Sequence, residues 1–350
     1  MVKSHTYIAI PPGATIKEQL QDRGLTQKEF AERMGYTEKH ISQLINGKVE
    51  LTPDTACRLE SVLGVPAQFW ANLESRYREK IIKANEENSL YNEVHFCKNF
   101  PYSEISKIGW VPKTSNNFER VYAMRKFFEV ARLEALKNDN LLPVGIACRQ
   151  LSETDSKDYH LAVWAQKAKL ESRNVQTNPI DVNRLIEILP HIRQMTVEPP
   201  EVFCEELRHL LSECGIAIIF LPHIGGSFLH GATFIYGKKI VLGVTVRGKY
   251  ADVFWFSLFH EIGHIILGHI NQGCMDDNIE NEADNFSTET LIPVEHFNKL
   301  TKIKTILKRD IIEFARHEGI APGIVLGRLQ KYGYVEYSMF NDLKKKYQLV

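Results

Sequence analysis

The stretch 253–269, Val253-Phe-Trp-Phe-Ser-Leu-Phe-His-Glu-Ile-Gly-His-Ile-Ile-Leu-Gly-His269, decides how the C-terminal half is read. Its apolar run fits a helix over Tyr250–Gly268. On a helix, positions four apart lie one above the other on the same face. His260 and His264 then bring their imidazoles to one point, with Glu261 beside them. Two neutral imidazoles suit Zn²⁺, and an adjacent carboxylate can take a proton from water polarised by the ion. This is an HExxH arrangement.

Working outward, Pro199-Pro200-Glu201 opens a helix through Leu211, with Val202, Phe203, Leu207, Leu210 and Leu211 apolar. The run Ile216–Leu221 is continuously apolar and reads as a buried strand. Phe228–Tyr236 and Lys239–Val246, separated by Gly237-Lys238, read as a hairpin-like pair. In the second of these, Ile240, Leu242, Val244 and Val246 alternate with Val241, Gly243 and Thr245. It is expected at an edge of the sheet, where a substrate strand would add.

A zinc site of this kind needs a third protein ligand. The segment Asn278-Ile-Glu-Asn-Glu-Ala-Asp-Asn-Phe-Ser-Thr-Glu-Thr-Leu-Ile-Pro293 supplies a second helix. Glu280, Asp284 and Ser287 share one face of it, Ala283 lets two helices approach, and Glu282 points away. Glu280 is the expected third ligand. Asp284 is the expected acceptor for the other N–H of a ligand imidazole. His269 follows His264 by five residues, is rotated away from the pair, and reads as a surface or core histidine. His223, His230 and Cys274 are near in sequence and carry no stronger assignment. The cations Lys299, Lys302, Lys304, Lys308, Arg309 and Arg316 read as a solvated face, with contact to nucleic acid as the alternative.

The pairing of HEIGHIILGH with ENEADNFSTETLIP resembles the ImmA/IrrE family of metallopeptidases across about 200–295. The resemblance implies a zincin-like domain with a small β-sheet, one Zn²⁺ held by His260, His264 and Glu280, and Glu261 as general base. Ser287 stands where the family commonly has alanine, and Ile292 where it commonly has methionine. The later Ile320-Ala-Pro-Gly-Ile-Val-Leu-Gly-Arg-Leu-Gln330 resembles a C-terminal helix that often follows this domain.

The N-terminal part has a different character. Leu25-Thr26-Gln27-Lys28-Glu29-Phe30-Ala31-Glu32-Arg33-Met34-Gly35 reads as a short helix capped by Thr26, with Glu29 completing a capping box and Gly35 ending it. Thr37 caps a second helix, Glu38–Ile45, whose Ile41, Leu44 and Ile45 face inward and whose Glu38, Lys39, His40 and Gln43 face outward. Thr52-Pro53 opens a third. Two short capped helices joined by a glycine turn make a helix-turn-helix signature. LTQKEFAERMGYTEKHISQLINGK resembles the Xre/Cro type of repressor domain. Its continuation ELTPDTACRLESVLGVPAQFWANLE resembles the HigA-type antitoxins, a likeness that runs from residue 10 to 78. The resemblance implies that Gln27 touches a phosphate and that Thr37, Glu38, Lys39, His40 and Gln43 lie at the major groove. It further implies that Asn46 and Lys48 hold the DNA backbone just beyond the helix. Residues 1–80 nevertheless hold eleven Lys/Arg against ten Asp/Glu, which is no basic footprint. A helical module kept for dimerisation or partner contact is therefore the alternative.

Over the whole chain, 43 Lys and Arg balance 43 Asp and Glu, so any nucleic-acid or membrane function has to be local. The 350 residues suggest two or three domains. The six cysteines are scattered with no CxxC pair, no apolar run reaches a membrane span, and the first residues do not read as a signal peptide. A cytoplasmic protein without membrane association is expected. Between 81 and 195 no motif carries chemistry. Helical periodicity marks Asn117–Lys137, Asp158–Glu171 and Ile180–Gln194, and Glu79–Asn92 would continue the preceding helix. Trp110, Trp164 and Phe127-Phe128 read as core.

The expected fold is thus helix-rich α+β: a helix-turn-helix domain at 1–80, a helical connector at 81–195, and a zincin-like domain at 196–350. The expected function is a DNA-binding regulator or antitoxin whose zinc site cleaves a partner repressor or toxin. The alternative is a non-catalytic antitoxin that neutralises its toxin by binding. Operator DNA, a cognate toxin or repressor, and a second copy in a homodimer are the expected partners.

Overall fold

In the computed structural model, which describes residues 2–137, 156–225, 231–245, 250–271 and 277–347, the chain divides into two units, Met1–His95 and Phe96–Val350. The first opens with a small antiparallel pair, β1 (Val2–Lys3) and β2 (Ile8–Ala9). Helices α1 (Gly13–Asp22), α2 (Gln27–Met34), α3 (Glu38–Ile45) and α4 (Pro53–Leu63) follow. The caps read from the sequence are present. Thr26 Oγ1 accepts from the Glu29 N–H, Thr37 Oγ1 from His40, and Thr52 Oγ1 from Thr55, each at 3.2 Å. Each such cap contributes about 1 kcal/mol. The capping box read for Glu29 does not form, because its carboxylate pairs with Arg33 one turn on instead of returning to the Thr26 N–H. Ile16, Phe30, Met34, Ile41, Leu44, Leu59 and Trp70 close one core. The continuation of the last helix is also present: α5 (Ala67–Cys97) is unbroken, and Ser4 and Thr6 bond Glu87 on its side.

In the second unit α6 (Tyr102–Lys107) precedes α7 (Asn117–Phe128), capped by Asn116. The helix expected through Lys137 stops at Phe128. Glu129 takes a left-handed conformation, and a 3-10 turn resumes at Leu133–Lys137. Helices α8 (Ser156–Ser172), α9 (Val182–Gln194) and α10 (Pro200–Glu213) lead into the sheet. The sheet consists of β3 (Ile216–Phe220), β4 (Gly231–Tyr236) and β5 (Lys239–Val244). Then come α11 (Ala251–Ile266), α12 (Asp277–Leu291), α13 (Val294–Thr301), α14 (Lys308–Glu318) and α15 (Pro322–Lys331). Residues 81–195, read as one connector, are shared between the units at His95/Phe96.

The sheet corrects one expectation. The Lys239–Val244 strand is not an edge but the centre, in the order β3-β5-β4, parallel to β3 and antiparallel to β4. No strand can add to it. Both faces are covered, which is why Ile240 through Val244 are all buried. Ile240, Leu242 and Val244 join Phe203, Phe254 and Leu258 in the main core, while Gly243, on the other face, lies against the Trp164 ring of α8. Trp164 and the Phe127-Phe128 pair are buried as read, and Trp110 is half-buried.

Helix α11 is fixed along its length. Phe203 and Trp255 meet at 4.8 Å, the Trp255 Nε1–H donates to the Tyr347 hydroxyl at 2.9 Å, and the Ala251 N–H donates to the Lys345 carbonyl. Against it lies α12. Ala283 is fully buried between the two helices, and the Ser287 hydroxyl donates to the Phe256 carbonyl at 2.8 Å. At the far end Arg193 donates to the carbonyls of Leu291 and Glu318 and to the Glu318 carboxylate, tying α9 to α12 and α14. The HExxH helix therefore sits on a rigid frame.

Candidate metal centre and nucleic-acid interface

Helix α11 stacks His260 over His264, as the four-residue spacing requires, and α12 lays Glu280 across them. The two Nε2 atoms are 3.0 Å apart, and Glu280 oxygens stand 3.3 Å from His260 Nε2 and 4.0 Å from His264 Nε2. All three ligand atoms lie within 4.8 Å of one another. Ligands at ~2.1 Å from a tetrahedral zinc are roughly 3.4 Å apart. The donor set and its spacing fit that ion.

The surroundings are charged to receive a cation. Burial depresses the His260 imidazolium, but Asp284, Glu280 and Glu261 outweigh it and lift its pKa to about 10. Burial and the facing charge of His260 lower His264, which stays a neutral imidazole. Asp284 accepts from His260 Nδ1 at 2.9 Å and lies 3.7 Å from Lys331 Nζ. Its carboxyl is held below the usual range, first by the His260 bond.

Glu261 occupies the buried side of the same helix. Burial pushes its carboxyl up to about 7, against the opposing pull of His260 and of the Thr233 hydroxyl, which donates to Oε2 at 2.5 Å. β4 approaches so closely that a Cβ on Gly231 would stand 2.6 Å from Glu261 Oε1. Only glycine permits that packing. A carboxyl titrating near neutrality beside a cation site is suited to moving a proton.

His269 is a core histidine, within its reading, but it is not rotated away from the pair. It is buried, with its Nδ1 3.0 Å from His264 Nδ1 and its Nε2 3.0 Å from Glu282 Oε2. The helix ends at Ile266, and Gly268 takes a φ of +77°, turning the next residue back under the helix. Straight-helix geometry could not place it. The Leu-Gly-His ending, with glycine as a helix stop, was the signal available. Glu282 does point away from Glu280, as read, but toward His269. Thr233 and Gly231, on a strand remote in sequence, carried no such signal. His223 is exposed, whereas His230 and Cys274 lie outside the described residues.

In the first unit, α3 presents Thr37, Glu38 and Lys39 to solvent, with His40 and Gln43 half-buried on the same helix. His40 packs on the Tyr36 ring at 4.5 Å, and Tyr36 is bonded by Asp54 and Thr55 of α4, so the outward face of α3 has a fixed base. Gln27 is the exposed first residue of α2. Asn46 ends α3 and donates to the Ser42 carbonyl at 2.8 Å, and Lys48 is exposed just beyond. Every residue read for DNA contact therefore lies on α3, at its N-cap, just after it, or at the start of α2.

The helix-turn-helix family model matches residues 16–70. The chain is 36% identical over 66 residues to the uncharacterized HTH-type transcriptional regulator YddM of Escherichia coli (strain K12), covering 19% of this chain and 70% of that protein. It is 42% identical over 57 residues to the antitoxin HigA-1 of Vibrio cholerae, covering 16% of this chain and 53% of the antitoxin. It is also 28% identical over 81 residues to the virulence-associated protein I of Dichelobacter nodosus, 75% of whose length is covered.

Proposed function

Through residues 16–70 the chain belongs to the helix-turn-helix family, and we propose that it is a DNA-binding regulator of the antitoxin kind whose second unit carries a zinc centre of the ImmA/IrrE type. The convergence of His260, His264 and Glu280 carries the second half of that reading. Gln27, Thr37, Glu38, Lys39, His40, Gln43, Asn46 and Lys48 would meet operator DNA, two copies reading a two-fold site. A cytoplasmic toxin or repressor would be the partner.

Zinc, when bound, would polarise a water and a substrate carbonyl. Glu261 takes and returns a proton through Oε1, since Oε2 accepts from Thr233. Thr233 holds the carboxylate in place. A peptide strand adds to β4, the edge strand next to Glu261, rather than to β5.

The DNA reading is tested by a gel shift on the protein's own promoter at fixed salt. Replacing Lys39 and Gln43 by alanine should weaken specific binding by about 1–3 kcal/mol for each side chain that reads a base. Unchanged binding would contradict the assignment of α3. The similarity to HigA-1 favours a second reading, in which the chain neutralises a toxin by binding alone. Glu261→Gln separates the two: a peptidase loses cleavage of the neighbouring gene's product, whereas a binding antitoxin rescues growth undiminished.

A further inference from the structure

The outer nitrogen of each proposed ligand imidazole leads to a carboxylate, by two different routes. His260 Nδ1 reaches Asp284 directly. His264 Nδ1 reaches Glu282 through a second imidazole, His269, in two steps of 3.0 Å each. His269 is 2% exposed and His264 equally so, while Glu282 is largely exposed at the end of the chain of bonds.

We infer that His269 and Glu282 are positioning residues that fix His264 in the tautomer carrying its proton on Nδ1, with its Nε2 lone pair directed at the point shared with His260 and Glu280. The inference rests on the metal reading of that point. The polarity follows by counting donors. An ionised Glu282 only accepts, so His269 Nε2 donates to it. If His264 offers its Nε2 lone pair to a metal, it carries its proton on Nδ1 and donates it to His269 Nδ1, which leaves His269 Nε2–H for Glu282. A neutral His264 so protonated keeps its lone pair on Nε2, facing inward.

The opposite polarity would place a proton on His264 Nε2, 3.0 Å from His260 Nε2, and close the site to a metal. Glu282 selects against it, because it stabilises the proton on the outer nitrogen of His269. His269 is not itself a ligand, since both its nitrogens are committed to these bonds. Partners of this kind orient a metal-binding imidazole and raise its basicity, and their loss typically weakens metal affinity 10–100-fold. Gly268 makes the route available: its positive φ turns His269 under the helix instead of outward.

The test uses the full chain. Zinc affinity is read by competition with a chromophoric chelator at fixed pH, and melting of the metal-free protein and the visible spectrum of the cobalt-loaded protein are recorded alongside. Glu282→Gln should weaken zinc binding roughly tenfold without altering metal-free melting, because Glu282 is exposed. His269→Ala should weaken it roughly 10–100-fold and shift the cobalt spectrum. His269→Asn, whose Oδ1 takes the place of Nδ1 as acceptor, should restore most of the affinity and the spectrum. If His269→Ala melts early, Glu282→Gln and His269→Asn decide. Wild type failing to bind zinc would overturn the metal reading and the inference with it. Wild type binding zinc while Glu282→Gln and His269→Ala bind equally well would leave the metal reading standing and overturn the inference alone.

Discussion

Gly231 and Glu261 show how closely the site is built. A methyl group on Gly231 would meet the Glu261 side chain at 2.6 Å, a separation that a methyl carbon does not tolerate. Gly231→Ala must therefore displace the carboxylate from its bond with Thr233. Because neither residue is a proposed ligand, the expected outcome is zinc affinity within about threefold of wild type, with a stability loss of about 1–3 kcal/mol typical of overpacking. Chelator competition and denaturant melts check both, and a variant as stable as wild type would contradict the packing. At this scale the sequence was readable where spacing within one helix does the work. His260, His264, Glu280 and Asp284 converge as their periodicity requires. His269, Thr233 and Gly231 were not readable, because a glycine turn or a non-local strand pairing delivers them.

Among the elements, the short helices of the first unit were legible nearly to the residue, since caps and glycine stops are local chemistry. Thr26, Thr37 and Thr52 each bond the amide three positions on, and Gly35 and Gly64 end their helices in the left-handed region. The Val253–His269 run and the Glu280 helix were equally plain, because their apolar faces repeat with the helical period. The sheet was harder. Alternation along Lys239–Val244 suggested one solvated face, but Gly243 is small to admit the Trp164 ring, not because it faces water. That ring comes from α8, more than seventy residues upstream in a stretch without motifs, so strand order could not be deduced locally. The same correction moves the expected substrate strand to β4, beside Thr233 and Glu261. Between 117 and 137 the periodicity was continuous, and the break at Glu129 is held by its paired hydrogen bonds to Arg173, just past the end of α8, a tertiary interaction.

The molecule as a whole joins two different chemistries. The helix-turn-helix unit was visible as local sequence and is shared with known regulators. Its even charge means that any DNA affinity has to come from placed side chains on α3 more than from a broad electrostatic field, so its salt dependence should be modest for a DNA binder. No helix among the described residues is long and apolar enough to cross a membrane. The metal centre proposed for the second unit would rest on His260, His264 and Glu280 from two helices, with Asp284, His269 and Glu282 proposed to hold the imidazoles in place. Its claim is met most directly by the zinc content of the purified full chain after loading and exhaustive dialysis. About one zinc per wild-type chain, falling to near none in Glu280→Ala and in His264→Ala, is the expected result. Wild-type chain that retains no zinc, or the same content in all three proteins, would contradict it.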